Sequence, residues 1–371
     1  MNNKFEKNKE IATRYIEAFN TDDWDTVREV VAPDFTFHHP IGGTVKAGPE
    51  GMVGVWSDFK ASLPDSWHPI PIMITDGDYL AVLLPTYGHF TGKPYHGVSP
   101  TGKWIEYGMV NIVRFENRKI AENWFGMDPL AEQQQMGSAP SFPPRQLNEK
   151  EKANIELFQQ TINKYDLEFD NLTSFDDAVL ALGPPQHKED TSSRQVEIYR
   201  NVDGSLEIIY VNQFVTNPPY TGNTSADTEF SRDLVKRYIK EVLIEHDLEV
   251  LSDIVSENIL VHPTAMPCEA SYFSISGISN WLNSQWKSFP DLKITDSFTI
   301  SEGDIVAVHW TAQGTSKDNF FMLPPSGKKV QYTGNSMYRI EEGKIAEIWD
   351  ARNTLGIMKQ INLEIGGEHH H

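Results

Sequence analysis

An internal repeat constrains this chain more than any other feature. PTGKWIEYGMVNIVRFENRKIAENWFGMDPL begins at Pro100, and PSGKKVQYTGNSMYRIEEGKIAEIWDARNTL begins at Pro325. The two run without a gap at an offset of 225 residues. They match Gly102 with Gly327, Tyr107 with Tyr332, Arg114 with Arg339, Ala121-Glu122 with Ala346-Glu347 and Trp124 with Trp349. Upstream, Arg14-Tyr15-Ile16 answers Arg237-Tyr238-Ile239 and His39-Pro40 answers His262-Pro263. Pro64-Asp65 answers Pro290-Asp291 and Gly77-Asp78 answers Gly303-Asp304, with offsets drifting from 223 to 226. Small loop indels in a duplicated domain produce such drift. The 371 residues then divide into a first copy at 1–137, an insert at 138–225 and a second copy at 226–365. A tail at 366–371 ends in His369-His370-His371 and looks like a purification-tag remnant.

Each copy carries the same order of elements. Ile11, Tyr15, Ile16 and Phe19 are spaced for one face of a helix over 5–20. Asp22-Asp23 suits the start of a second short helix. Phe35-Thr36-Phe37 reads as a strand ending at His39-Pro40, and a helix over about 49–62 carries Met52, Val53, Val55, Trp56 and Phe59. Strands follow at about 68–75, 79–90, 103–116 and 119–126, the last two forming a hairpin. Glu342-Gly343 in the second copy signals a type I′ turn there. A short helix near Pro129 closes the unit. Helices before a curved antiparallel sheet predict an α+β domain of about 130 residues with an apolar pocket on its concave side. The insert reads as a Pro-rich linker, a helix over 148–168, a stop at Leu182-Gly183-Pro184-Pro185 and a hairpin turning on Asp203-Gly204.

Composition removes several function classes. Thirty-two Lys and Arg against 52 Asp and Glu leave a net charge of −20, with no basic cluster to offset it. That field repels a phosphate backbone, so a nucleic-acid partner is disfavoured. Cys268 is the only cysteine, which forbids an intrachain disulfide and a multi-cysteine zinc site. The polar amphipathic start lacks the apolar core of a signal peptide, and runs such as Ile70–Ile74 are too short to cross a bilayer. A soluble, cytoplasmic protein without a membrane partner is expected. There is no Walker A loop, no G-x-G-x-x-G after a strand, no H-E-x-x-H and no G-x-S-x-G. His38, His39, His89 and His96 show no paired ligand spacing, so no metal is expected. Acid/base chemistry in an apolar pocket remains open.

The hairpin indicates which side chains can meet such chemistry. With a two-residue turn at Asn117-Arg118, residues whose numbers sum to 235 oppose each other. Asn111 then faces Trp124, and Tyr107, Met109, Asn111 and Trp124 share one face. Phe37 and His39 share the inward face of the first strand, and His38 faces away. Trp56 on the third helix completes the expected lining. Asp128 emerges four residues beyond Trp124, where poor hydration would raise its pKa toward general acid/base use. Asp before Pro is also a good N-cap pattern, and without further context capping the helix that starts at Pro129 is the favoured reading. His39 would be a second proton carrier or a strand-end histidine bonded to backbone. Arg114 and Arg339 suit pairing with surface acids, and Glu122 and Glu347 the same structural purpose.

The pattern I-A-E-x-W-x-x-x-D-x-L followed by Q-x-x-G resembles the SnoaL-like polyketide cyclases of the NTF2-like superfamily. Copy one has Ile120-Ala121-Glu122-Asn123-Trp124, Asp128, Leu130, Gln134 and Gly137. Copy two has Ile345-Ala346-Glu347-Ile348-Trp349, Asn353, Leu355 and Gln360. The likeness covers about 260 residues, all but the insert and tail. It implies two tandem cone-shaped α+β barrels and a small hydrophobic carbonyl ligand with no cofactor. Asp128 would remove a proton α to a carbonyl of a polyketide-like ester, and the enolate would close a ring by an intramolecular aldol step. Isomerisation or dehydration is a related outcome. His262, Tyr332, Trp349 and Asn353 are the second copy's equivalents. Asn353 cannot exchange a proton and Asp350 has the wrong parity to replace it, so the second copy reads as a degenerate partner in an intramolecular pseudo-dimer. A homodimer is also open. The alternative is a non-catalytic small-molecule-binding or scaffold protein of the same superfamily.

Overall fold

The computed structural model describes residues 2–40, 43–139, 147–162, 171–175, 178–188, 191–211, 220–223, 225–263, 274–320 and 323–362. The expected linker at 140–146, Cys268 and the 366–371 tail lie outside these residues. In the first copy, helices α1 (Asn2–Asn20) and α2 (Trp24–Val30) precede β1 (Val31–His39) and β2 (Gly43–Lys46). Asp23 caps α2 by accepting from Thr26 N–H at 3.1 Å. Helix α3 (Gly48–Ser62) leads to β3 (Ile72–Asp76), β4 (Tyr79–Leu83), β5 (Thr86–His89), β6 (Trp104–Tyr107), β7 (Val110–Glu116) and β8 (Lys119–Trp124). Helix α4 (Pro129–Met136) closes the unit. The main sheet has the order β2-β1-β8-β7-β4-β3, antiparallel except where β1 runs parallel to β8. The strands expected at 79–90 and 103–116 are each broken in two. Pro85 has no N–H to offer the ladder, so the chain turns there and β5-β6 forms a separate ribbon.

The insert supplies α5 (Glu149–Ile162) and a four-stranded sheet of β9 (Asn171–Phe175), β10 (Ala178–Lys188), β11 (Thr191–Val202) and β12 (Ser205–Val211). Leu182-Gly183-Pro184-Pro185 does not end the strand. β10 runs through it and takes up the irregularity as a register shift against β11.

The second copy repeats the plan. It has α6 (Thr228–Arg237), a π-helical segment (Tyr238–Ile244), α7 (Leu251–Ile254), β13 (Val255–Pro263) and α8 (Ile275–Ser288). Then come β14 (Lys293–Glu302), β15 (Ile305–Thr315), β16 (Lys329–Glu341), β17 (Lys344–Arg352) and α9 (Thr354–Gln360). Its sheet, β13-β17-β16-β15-β14, carries the same parallel pair, β13 with β17. Two tandem α+β units of one design are therefore present, as the repeat predicts. Among the described residues, no helix is long and apolar enough to cross a membrane.

The copies pack back to back. Ile72, Ile74, Ala81, Leu83, Val110 and Ile112 from one sheet meet Ile300, Ile305, Ala307, Met337, Trp349 and Ala351 from the other. Polar clamps fix the seam. Asn335 Nδ2 donates to Val110 O at 2.6 Å and to Trp124 O at 3.0 Å. Glu302 accepts from Thr75 N–H and Lys9 Nζ, each at 2.7 Å. At Gly126 the second copy comes so close that a Cβ would lie 2.5 Å from Asn335 Nδ2. The concave faces thus point away from each other.

Candidate functional site

The concave face of the first sheet, covered by α1, α3 and α4, encloses a cavity of about 970 Å3. That is room for a drug-sized ligand. Strand alternation sets its lining. Leu80, Val82, Leu84, Met109, Asn111 and Val113 point in, whereas Ala81, Leu83, Val110 and Ile112 point to the other copy. Phe37 and His39 enter from β1, and Trp56 enters from α3, its ring 4.3 Å from Tyr15 and 5.1 Å from Phe19. Six of the eight residues expected in this copy therefore line one cavity: Phe37, His39, Trp56, Tyr107, Met109 and Asn111.

Trp124 and Asp128 do not line it. The turn at Asn117-Arg118 has positive φ at both residues, as expected of type I′, and Glu116 opposes Lys119 in the 235 register. Between Arg114 and Phe115 the register then slips, because Ala121 is an extra residue on β8. Trp124 consequently opposes Ile112, and a one-residue slip turns every later side chain to the other face. Trp124 lies in the seam between copies, stacked on His38 at 4.9 Å and edge-on to Phe298 at 4.8 Å. Asn123, Phe125 and Met127 face the cavity instead.

Asp128 takes up its capping role. Its Oδ1 accepts from Leu130 N–H at 3.0 Å, opening α4 ahead of Pro129. It also accepts bonds from the Thr354 side chain and the Leu355 backbone of the second copy. Burial pushes its pKa up to about 6 against these bonds and the Arg352 charge.

A buried carboxyl group in the cavity lining is Glu132, one turn along α4. It is 4% exposed and accepts from the Tyr107 hydroxyl at 3.0 Å. Burial pushes its pKa up to about 7, with the Tyr107 bond opposing. His39 is held down to about 4 by burial, with the His96 and Lys359 charges adding, so its imidazole is neutral at pH 7. His68, also in the lining, is held down to about 3 by burial, its Nδ1 lying 3.2 Å from Pro85 O and 3.1 Å from Thr86 Oγ1. Two buried polar atoms in the lining lack a protein partner, the Tyr15 hydroxyl and Asn123 Oδ1. An orphaned buried group costs about 1–3 kcal/mol.

The repeat itself carries the signal for the missed residues. At an offset of 225, Glu132 corresponds to Ile357 and Asn123 to Ile348, both buried. A polar side chain where the twin buries isoleucine marks a wall that faces something other than core.

Among the described residues, the matching cavity of the second copy is nearly closed. About 50 Å3 remains, lined by Tyr238, Trp310, Tyr332, Asp350 and Arg352 among others. Asp350 and Arg352 replace Phe125 and Met127. Asp350 faces inward, contrary to its expected parity, because Ala346 repeats the bulge of Ala121 and Ile340 opposes Ile345 while Arg339 opposes Glu347. Arg352 Nε donates to Asp350 Oδ2 at 2.8 Å and Ser336 Oγ to Asp350 Oδ1 at 2.7 Å. Tyr332 lines this remnant, while Trp349 joins the seam. Asn353 caps α9, accepting from Gly356 N–H at 2.7 Å, and donates to Pro40 O of the first copy at 2.5 Å. It thus mirrors the cap of Asp128. His262 opposes Trp349 and stacks on it, which makes it the counterpart of His38 rather than of His39. Gln360 likewise answers Gln135, not Gln134. Each clamps one strand residue through both backbone groups, Gln331 and Glu106 respectively. Glu122 and Glu347 pair with Arg114 and Arg339 as structural partners. Among the described residues, no three His, Cys, Asp or Glu side chains form a metal-holding group.

Comparison with known proteins places this design. Among solved structures, IdmH from Streptomyces antibioticus is 30% identical, covering 35% of this chain and 98% of its own, with a TM-score of 0.31. A SnoaL-like polyketide cyclase from Agrobacterium tumefaciens is 23% identical over 36% of this chain and 98% of its own, with a TM-score of 0.32. TsrD from Streptomyces laurentii is 21% identical over 37% and 98%, with a TM-score of 0.34. No curated protein matches the sequence. The sequence pattern of the SnoaL-like polyketide cyclases matches residues 9–136 and again 233–361. Together with the twinned sheets, these two matches make the chain a tandem member of the SnoaL-like polyketide cyclase family.

Proposed function

We infer that the first copy is an acid/base enzyme acting on a small hydrophobic carbonyl compound of polyketide type, and that Glu132, not Asp128, moves the proton. One observation carries this reading. A carboxylic acid with a pKa near 7 stands in a largely apolar cavity of about 970 Å3, braced by a tyrosine hydroxyl. A base poised near the working pH combines a useful ionised fraction with useful proton affinity. In its ionised form Glu132 takes a proton from the carbon α to a carbonyl. The enolate attacks a second carbonyl carbon of the same molecule, and the alkoxide so formed takes the proton back from Glu132. Tyr107 fixes the carboxyl rotamer, and neutral His39 offers a hydrogen bond to a polar atom of the ligand. The apolar walls fold the chain of the substrate and keep water away from the enolate. Isomerisation or dehydration needs the same first step. The second copy, with its pocket filled, serves as a scaffold.

The test is Glu132→Gln, which keeps size and hydrogen bonding but cannot exchange a proton. Against a panel of β-ketoesters and hydroxyenones, turnover should fall by about a hundredfold or more, with ligand affinity retained. Turnover that survives in the variant overturns the assignment. A wild-type protein that binds such compounds and converts none of them is the non-catalytic binder.

A further inference from the structure

Asn123 stands in a largely apolar wall whose other amide, Asn111, is satisfied by the Gly126 N–H. It opposes Phe37 on β1 and Val113 on β7, and both of these line the same cavity. Ile120 and Phe125 flank it along β8 and also face inward. It is 3% exposed, and its Oδ1 has no protein donor. The scaffold does not require an amide here, because the second copy holds Ile348 at the same place, against Val261, in the sheet of the same register. A buried acceptor kept without a donor, where the twin shows that isoleucine packs, is explained by a donor that arrives with the ligand.

We propose that Asn123 is a specificity-determining residue that accepts a hydrogen bond from a hydroxyl of the ligand, so that the first copy selects hydroxylated rings, phenolic or enolic, over equally apolar compounds without that hydrogen. This rests on the cavity being a ligand site as argued above, and it narrows the ligand class. A wall of phenylalanine, valine and isoleucine alone ranks ligands by hydrophobicity. A wall with an unfilled acceptor favours a ligand that fills it, because the donor relieves an Asn123 oxygen that is otherwise buried and unpaired.

A matched pair of probes separates the two cases. 2-Naphthol and 2-methoxynaphthalene share the ring and the oxygen, and only the first can donate. The ether is the more hydrophobic, so a purely apolar cavity binds it more tightly. Equilibrium dialysis of the full chain should show 2-naphthol binding roughly threefold to tenfold more tightly than the ether. Asn123→Ile, which copies the twin, should reverse that order while the ether's affinity holds or improves. The unliganded variant should melt at or above the wild-type temperature. Asn123→Leu should behave in the same way. If both probes bind the wild type with the ether preferred, or if Asn123→Ile keeps the preference for naphthol, the role of Asn123 is overturned while the cavity stands. A melting temperature that drops in both variants, or variants that do not fold, shows that the amide holds the structure and overturns the proposal too. If neither probe binds the wild type, the cavity reading itself fails and takes this inference with it.

Discussion

Glu132 and Ile357 occupy one position of the repeat and differ in what burial does to them. Isoleucine gains from it, whereas the carboxyl responds by holding its proton. Its pKa rises from 4.5 to about 7, so the folded state favours the protonated acid. Stability from this group is complete below pH 4.5 and is lost as pH rises through 7. Asp128, raised to about 6, acts with the same sign over a lower window. The buried neutral His39 and His68 act with the opposite sign below pH 6.5, so the Glu132 contribution is read as a difference: the urea midpoint of Glu132→Gln relative to wild type should rise from pH 5 to pH 8. In the same variant any residual turnover should lose the wild-type rise with pH through about 7. Asp128→Asn keeps a capping oxygen, since Asn caps as well as Asp, but puts an NH2 group where the second oxygen accepted from Thr354 or Leu355. The expected outcome is a loss of about 1 kcal/mol in unfolding free energy with turnover largely intact. If that variant instead loses turnover at unchanged stability, the proton carrier is Asp128.

The elements were readable to a large degree, and the departures have one dominant cause. Period and punctuation place α1 to α4 and the closing hairpin within a few residues, because amphipathic spacing and the paired positive φ of Asn117-Arg118 are local properties. A bulge is not local in that sense. Ala121 and Ala346 look like ordinary strand alanines, yet each adds one residue to its strand and exchanges the faces of all that follows. That one displacement accounts for Trp124 lying in the seam, for Asp350 facing inward and for Asn123 escaping notice. Glu132 escaped for a different reason: a Glu among three Gln in a polar helix reads as surface until it is set beside Ile357. The bulge also yields a prediction. Deleting Ala121 restores the simple register, drives Trp124 into the cavity and turns Asn123 toward the second copy. The deletion variant should lose the near-ultraviolet dichroism and the cooperative melting of the first copy, and retention of both would contradict the role given to the bulge.

For the molecule as a whole, the seam decides what either half can do alone. Ile72, Ile74, Ala81, Leu83, Val110 and Ile112 form an apolar face that packs against the second sheet. Residues 1–137 expressed alone should therefore self-associate. Light scattering on a sizing column should find dimers or larger species, and a stable monomer would contradict a stabilising seam. Breaking a clamp should be milder. Asn335→Leu strands the Val110 and Trp124 carbonyls and should cost about 1–3 kcal/mol without separating the halves.

The filled second pocket has a consequence for how such a protein can change over time. In an assembly of two identical subunits every substitution is made twice, so a hollow that weakens one half weakens both. Joined on one chain, the halves mutate independently. One can stay dense and act as a counterweight, while the other keeps an empty, partly polar chamber that would be hard to hold open in duplicate.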